Sequence, residues 1–285
     1  MLYFRDKLPG GKDIIKNEKI KTIKYFIKNS KTFKLKEKYN SVIPLNVYTC
    51  WHTKELPPLM KRNYEKLISD NPKMTFHLYD ETECREFIEK HFKSDVLEAY
   101  DSLIPCSYKS DLWRYCVLFI NGGIYMDIKF GCVNNFRLIS LTEKEHFVRD
   151  RDPPGGTLTG LIVCKPGNII LFNCIRQIVN NVQIKFYGDD ALCPTGPGLL
   201  GLFSSKREKK QMTMYFENAT ANGRDNFYIG FNNGFNNGLN DVIILKMYDE
   251  YRDEQKLYQK NSYYANLWNE KKIYTPLNKG NVADI

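Results

Sequence analysis

The chain has 285 residues, 42% of them hydrophobic and 14% aromatic, which is enough for a sizeable core and for one large domain or two small ones. No apolar run approaches the roughly 18 residues of a membrane helix, and the opening "MLYFRDKLPGGKD" lacks the apolar segment of a secretory signal, so a soluble, cytoplasmic chain is expected. Eight cysteines stand singly with no CxxC pair, which argues against a disulfide framework or a zinc site and reads them as reduced core residues.

The net charge of +9 is concentrated at one end, because residues 1–40 hold 12 Lys and Arg against four Asp and Glu. Ile14, Ile15, Ile20, Ile23 and Ile27 give this arm an apolar stripe at approximate helical spacing. A basic helix packed on the main domain is one reading, and contact with an acidic membrane face, a protein or nucleic acid is the other. The arm is therefore set apart as a helical extension over 1–40, with a single main domain over 41–285.

From residue 41 the pattern alternates. "PLNVYTCW" reads as a strand, "LPPLMKRNYEKLISDNP" as a helix closed by Asn-Pro, and "MTFHLYD" as a strand ending at Asp80. Asp80 and Glu83 resemble a capping box opening the helix "ETECREFIEKHF". "SYKSDLWRYCVLFINGG" is the most regular helix, with Leu112, Tyr115, Cys116 and Phe119 on one face and a left-handed glycine cap at its end. "IYMDI" follows at once as a strand. "GLIVCKPGN" then reads as strand and turn, "IILFNCIRQIVNNV" as a helix, "PTGPGLLGLF" as a turn into another helix, and "DVIILKMY" as a late strand. The FNNG repeats between 222 and 240 read as a loop or hairpin. The alternation points to an α/β sheet.

Two places carry polar groups in a telling arrangement. If a strand runs from Ile124 to Lys129, then Tyr125, Asp127 and Lys129 share one face at the carboxyl end, where open α/β sheets hold ligands. On the helix before it, Asp111 and Arg114 are three residues apart and share a side opposite Leu112 and Cys116, as a surface ion pair or as part of the same site. Asp189 and Asp190, before "CPTGP", read either as a capped turn or as carboxylates facing an acceptor. His52 reads as structural or as adjacent to the ligand.

"KSDLWRYCVLFINGGIYMDIK" resembles the sugar-nucleotide-binding core of glycosyltransferase family 32, whose pattern is Ser-Asp-x-x-Arg-Tyr-x-x-Leu followed by Gly-Gly-x-Tyr-x-Asp-x-Asp, and is similar to the glucosylating toxins of clostridia. The resemblance extends to "PLNVYTCWHTKELPP", "NPKMTFHLYDETECREFI", "LTGLIVCKPGN" and "PTGPG", covering about residues 41 to 200. It implies a GT-A fold and transfer of a sugar from a UDP- or GDP-sugar to a hydroxyl of a glycan or protein, with retention of configuration. Carried over by position, Trp51 would stack on the base. Ser110, Asp111 and Arg114 would hold the donor, Tyr125 would lie against the ribose or sugar, and Asp127 would be the first DXD carboxylate. "NLW" resembles the toxins' Ser-x-Trp loop, so Asn266 would stand at a metal-ligand position and Trp268 would bond a phosphate through its indole N–H. Asp127, Asp111 and Arg114 are the catalytic candidates, and Asp127 with Asn266 would hold Mn²⁺ or Mg²⁺.

The second DXD carboxylate is Lys129 here. Two readings follow: a cation held by Asp127, Asn266 and the diphosphate, or an ammonium that neutralises the diphosphate itself. A nucleotide-sugar-binding module that has lost turnover is the rival to the enzyme, and a nucleic-acid-binding protein would rest on the arm alone.

Overall fold

The computed structural model describes residues 32–150, 155–221, 224–231, 242–258 and 263–275. The expected helix over Ile14 to Ile27 and the asparagine-glycine repeats at 232–240 lie outside these residues. Of the arm, residues 32–40 are described and are not helical; Phe33 packs edge-on against Phe136 at 5.0 Å and Lys36 pairs with Glu143.

The first half alternates as its patterning requires: β1 (Asn46–Cys50), α1 (Pro58–Asp70), β2 (Thr75–Tyr79), α2 (Glu81–His91), α3 (Ser94–Ser102), α4 (Cys106–Asn121) and β3 (Gly123–Met126). Asp80 caps α2 through the Glu83 amide at 2.9 Å while Glu83 returns a bond to the Asp80 amide at 3.0 Å, so the box read from the sequence is present. Gly122 and Gly123 end α4 with φ of 61° and 108°, and a Cβ on either would come within 2.7 Å of Pro166 or of the Asn46 carbonyl. Only glycine allows so abrupt a return from α4 into β3.

After β3 come β4 (Gly131–Cys132), a 3₁₀ turn at Leu138–Leu141, β5 (His146–Arg149), β6 (Thr157–Cys164), α5 (Ile169–Gln183), α6 (Pro197–Phe203) and α7 (Lys206–Gln211). The hairpin β7 (Met214–Ala221) and β8 (Arg224–Phe231), then β9 (Val242–Leu245), α8 (Tyr251–Tyr258) and α9 (Tyr264–Asn269) complete the chain.

The nine strands form one mixed sheet in the order β2-β1-β3-β6-β5-β7-β8-β9-β4, with β1, β2 and β3 parallel and β6 antiparallel to β3. This is the α/β sheet expected from the alternation of elements. Only residues 127–130 separate β3 from β4, yet six strand spacings separate them in the sheet. A flat sheet would place them about 29 Å apart, and five residues of chain span at most about 18 Å. The sheet must therefore curl until β4 and β9 come round beside the end of β3.

One core lies on the helix side, where Tyr48, Tyr125 and Ile162 meet Leu112, Trp113 and Cys116 of α4 and the buried face of α5. The second lies under the opposite face, where Val47, Ile124, Met126 and Leu161 meet Phe136, Leu138 and Ile244. Successive residues of β3 thus enter different cores, as strand alternation dictates. All eight cysteines are free thiols. No helix among the described residues is long and apolar enough to cross a membrane.

Candidate functional site

Helix α4 carries the first half of the site. It is buried on nearly every side, so Asp111 and Arg114 are not a surface pair; they are 7% and 5% exposed. Arg114 Nη1 lies 3.3 Å from Asp111 Oδ1 and donates to the Thr159 carbonyl at 2.9 Å, while Nη2 donates to Ser110 Oγ at 2.8 Å. Its guanidinium stacks on the Tyr125 ring at 4.3 Å. Asp111 is held in turn by the Thr195 hydroxyl at 2.8 Å. Burial pushes the Asp111 carboxyl up, against Arg114 and Thr195. Burial alone would pull Arg114 down, but Tyr125, Asp111 and Asp127 together hold it above its ordinary value. One guanidinium flanked by two carboxylates stays charged more firmly than either carboxylate.

The second half hangs on β3. The expectation of a strand through Lys129 is corrected here: β3 ends at Met126, and Asp127 to Phe130 form a turn closed by the Phe130 amide on the Asp127 carbonyl at 2.9 Å. The Asp127 amide is taken by the Gly160 carbonyl, which ends the ladder one residue past the strand. Tyr125 and Asp127 still share a side, and the turn swings Lys129 back to them. Asp127 Oδ1 accepts from the Tyr125 hydroxyl at 2.9 Å and Oδ2 from Lys129 Nζ at 2.7 Å, with Arg114 Nη1 3.7 Å from Oδ1. Burial would raise the Asp127 carboxyl, but Lys129 and Arg114 outweigh it and hold it below its usual range. The matching interaction holds Lys129 up against its own burial. A Cβ on Gly160 would stand 2.8 Å from the Phe130 ring and 3.0 Å from Asp127 Oδ2, so this turn needs glycine opposite it.

These groups border a cleft of about 330 Å³ at the carboxyl ends of β1, β2 and β3. Trp51, His52, Ser110, Arg114, Tyr125, Asp127 and Lys129 line it. Asp111 lies behind Arg114 and positions it. The Trp51 indole N–H is buried with no hydrogen-bond partner among the described residues. Asp190 does not line the cleft and accepts from the Leu192 amide at 2.7 Å, the capped-turn arrangement.

Asn266 and Trp268 do not line the cleft, against the expectation for "NLW". The Trp268 indole N–H donates to the Tyr187 carbonyl at 2.8 Å and its ring packs on the helix-side core, while Asn266 is exposed. Tyr263 and Tyr264, at the start of α9, reach the cleft instead.

Sequence reasoning missed Lys246, Tyr251 and Arg252, which form the wall facing Lys129. Gly131 pairs with Leu245, so Lys246 falls beside the turn that carries Lys129. Burial, with Lys129 and Arg252 adding to it, pulls Lys246 down to about 8. Helix α8 is fixed by Glu254, which accepts from the Leu59 and Met60 amides at 2.7 and 3.0 Å and so caps α1, which has no capping side chain of its own. Five cationic side chains and two carboxylates line the cleft, so it is a basic, aromatic-walled site suited to an anionic ligand bearing a ring.

The donor set does not fit a divalent cation. Both Asp127 oxygens accept hydrogen bonds, and an ammonium stands where a second carboxylate would be needed. Among the described residues no three of His, Cys, Asp and Glu come together, and Asn266 is away from Asp127's cleft.

The class defined by this fold and site is an α/β protein with a basic, aromatic-walled cleft at the carboxyl edge of its parallel strands. Residues 57–148 match the family described as "Glycosyltransferase sugar-binding region containing DXD motif". The chain is 28% identical over 139 residues to inositol phosphoceramide mannosyltransferase 3 of Schizosaccharomyces pombe, covering 49% of this chain and 38% of that protein. It is 28% identical over 96 residues to an uncharacterized glycosyltransferase, L373, of Acanthamoeba polyphaga mimivirus, covering 33% and 38%. The matches thus span under two fifths of each of these relatives. Among solved structures, the PaToxG glycosyltransferase aligns with a TM-score of 0.44 and 19% identity over 67% of this chain and 77% of that one.

Proposed function

We propose that this chain is a glycosyltransferase that takes a sugar from a nucleoside-diphosphate sugar to a hydroxyl of a glycan or protein, with retention of anomeric configuration. One observation supports the reading: Ser110, Arg114, Tyr125 and Asp127 of the matching motifs line a single cleft with a surplus of positive charge, with Asp111 behind Arg114. The aromatic wall at Trp51 suits a base, and the cations suit two phosphates. As the bond from the anomeric carbon to the β-phosphate oxygen breaks, negative charge collects on the leaving diphosphate, and fixed cations stabilise it. The acceptor oxygen forms the new bond on the same face and its proton passes to the departing phosphate, so no covalent enzyme intermediate is needed. No step is assigned to a metal, because the residues present do not fit one.

GDP-mannose is the first donor to try, since the Schizosaccharomyces pombe relative is named a mannosyltransferase. Purified protein incubated with a panel of UDP- and GDP-sugars should release UDP or GDP slowly from one of them, and the anomeric proton signal of the freed or transferred sugar should show retention. Binding of a nucleotide with no turnover of any donor would leave a binding module. Failure to bind any nucleotide would end the reading.

A further inference from the structure

We propose that Lys129, Lys246 and Arg252 form a cationic clamp that does for the donor diphosphate what a divalent cation does in sites with two carboxylates, so that this chain binds its nucleotide without metal. The inference rests on the donor reading above and adds to it which groups hold the phosphates.

Three observations converge. First, the ammonium of Lys129 is 2.7 Å from Asp127 Oδ2, so the one DXD carboxylate present is already neutralised by the protein. Second, the curl of the sheet brings Lys246 to the same place through the Gly131–Leu245 pair, and α8 brings Arg252. Tyr251, the neighbour of Arg252, has its ring 5.9 Å from the Lys129 ammonium. Third, neither newcomer is held in an ion pair by a carboxylate among the described residues, although Asp127 and Asp150 attract Lys246 at longer range. The Lys246 ammonium lies over the Phe227 and Phe216 rings at 4.3 and 4.8 Å, and Arg252 donates to Gln255 Oε1 at 2.7 Å.

The charge balance follows. With Lys129 paired to Asp127, Lys109 to Glu81 and Arg114 to Asp111, Lys246 and Arg252 leave two positive charges facing the cleft, the charge of one divalent ion. Like charges gathered in a partly buried wall repel, and the arrangement is relieved when an anion of two or more charges enters. A divalent cation added to the same wall would meet three cations and a single carboxylate already in use. Burial is the main cause that pulls the Lys246 ammonium down, and Lys129 and Arg252 add to it against the pull of Asp127 and Asp150.

The test is nucleotide binding, read by isothermal titration calorimetry on the whole chain with GDP and UDP, in excess chelator and then in Mn²⁺. The preferred nucleotide should bind in chelator with an affinity within about twofold of that in Mn²⁺. Lys246→Met and Arg252→Gln should each weaken binding at least tenfold with unchanged circular dichroism and melting temperature. Lys129→Asp, which supplies the missing carboxylate, should bind poorly in chelator and recover at least tenfold on adding Mn²⁺, a response that a merely structural lysine would not produce. Three results would overturn the clamp. Wild-type binding that requires Mn²⁺ would overturn it while leaving the donor reading standing. Metal-free binding that is indifferent to both Lys246→Met and Arg252→Gln would do the same. Absence of nucleotide binding in either condition would remove the clamp and the donor reading together.

Discussion

At the residue scale, the site is a relay of charges in which each group holds the next: Thr195 holds Asp111, Asp111 holds Arg114, and Arg114, Tyr125 and Lys129 converge on Asp127. Tyr125 serves twice, through its ring under the guanidinium and its hydroxyl on the carboxylate. Tyr125→Phe separates the two, since it keeps the ring and removes the bond. A hydrogen bond to a charged group is worth about 2 kcal/mol, and urea denaturation at neutral pH should show a loss of that order, with Tyr125→Leu losing more because the stacking goes as well. Equal losses in the two variants would mean that the ring contributes nothing. Asp111, Arg114, Tyr125, Asp127 and Lys129 were all legible in the sequence because they are near neighbours along the chain, joined by one helix cap whose glycines leave the path no choice. Lys246 and Arg252 were not legible, because only strand pairing far along the chain brings them in. Trp268 was misplaced because a three-residue likeness does not say which side of a short helix faces the cleft.

At the element scale, helices with a strong cap or a clean apolar face were read correctly, and the end of β3 was overrun. Alternation continues formally through Lys129, but the ladder stops where the Gly160 carbonyl takes the Asp127 amide, and no period in the sequence marks that. Nor does any local signal announce that Glu254 of α8 caps α1. Glu254 is buried, accepts two amides at the positive end of α1 and a third bond from the Tyr248 hydroxyl at 2.6 Å. Glu254→Gln removes the charge and turns one acceptor into a donor facing donors, so a loss of about 2 kcal/mol is expected in chemical denaturation. It should also weaken nucleotide binding several-fold, because Arg252 rides on α8. A second element-scale prediction concerns His146 in β5, which is 8% exposed and pulled down to about 4, first by burial and then by Lys144. Between about pH 6.5 and 4 the unfolded chain binds a proton there that the folded chain refuses, so stability falls as pH falls through that window, by roughly 3 kcal/mol in full. Denaturation of wild type and His146→Leu at pH 7 and pH 4.5 isolates this share: the variant should lose less on acidification, and an identical loss in both would show that His146 does not drive it.

At the scale of the whole molecule, the α/β class could be read from alternation, but the curl of the sheet could not, since it follows from how few residues join β3 to β4 once their partners are known. That curl concentrates positive charge in the cleft, and the sequence concentrates more of it elsewhere: residues 1–31 carry nine Lys and Arg against three Asp and Glu. Two basic regions of different character make different predictions. Charge in a walled cleft selects a compact anion, whereas charge spread along a length of sequence suits an extended anionic surface and is screened within about 8–10 Å at ordinary salt. Each basic residue held near an anionic bilayer contributes about 1 kcal/mol, so the full chain should sediment with vesicles containing phosphatidylserine at low salt and be released at high salt. A chain lacking residues 1–31 should stay in the supernatant while binding its nucleotide with affinity within about twofold of the full chain. If the shortened chain still sediments, the cleft or another face binds the bilayer. If it loses its nucleotide affinity with its fold intact, the arm belongs to the donor site, and the division of the chain at residue 40 is wrong.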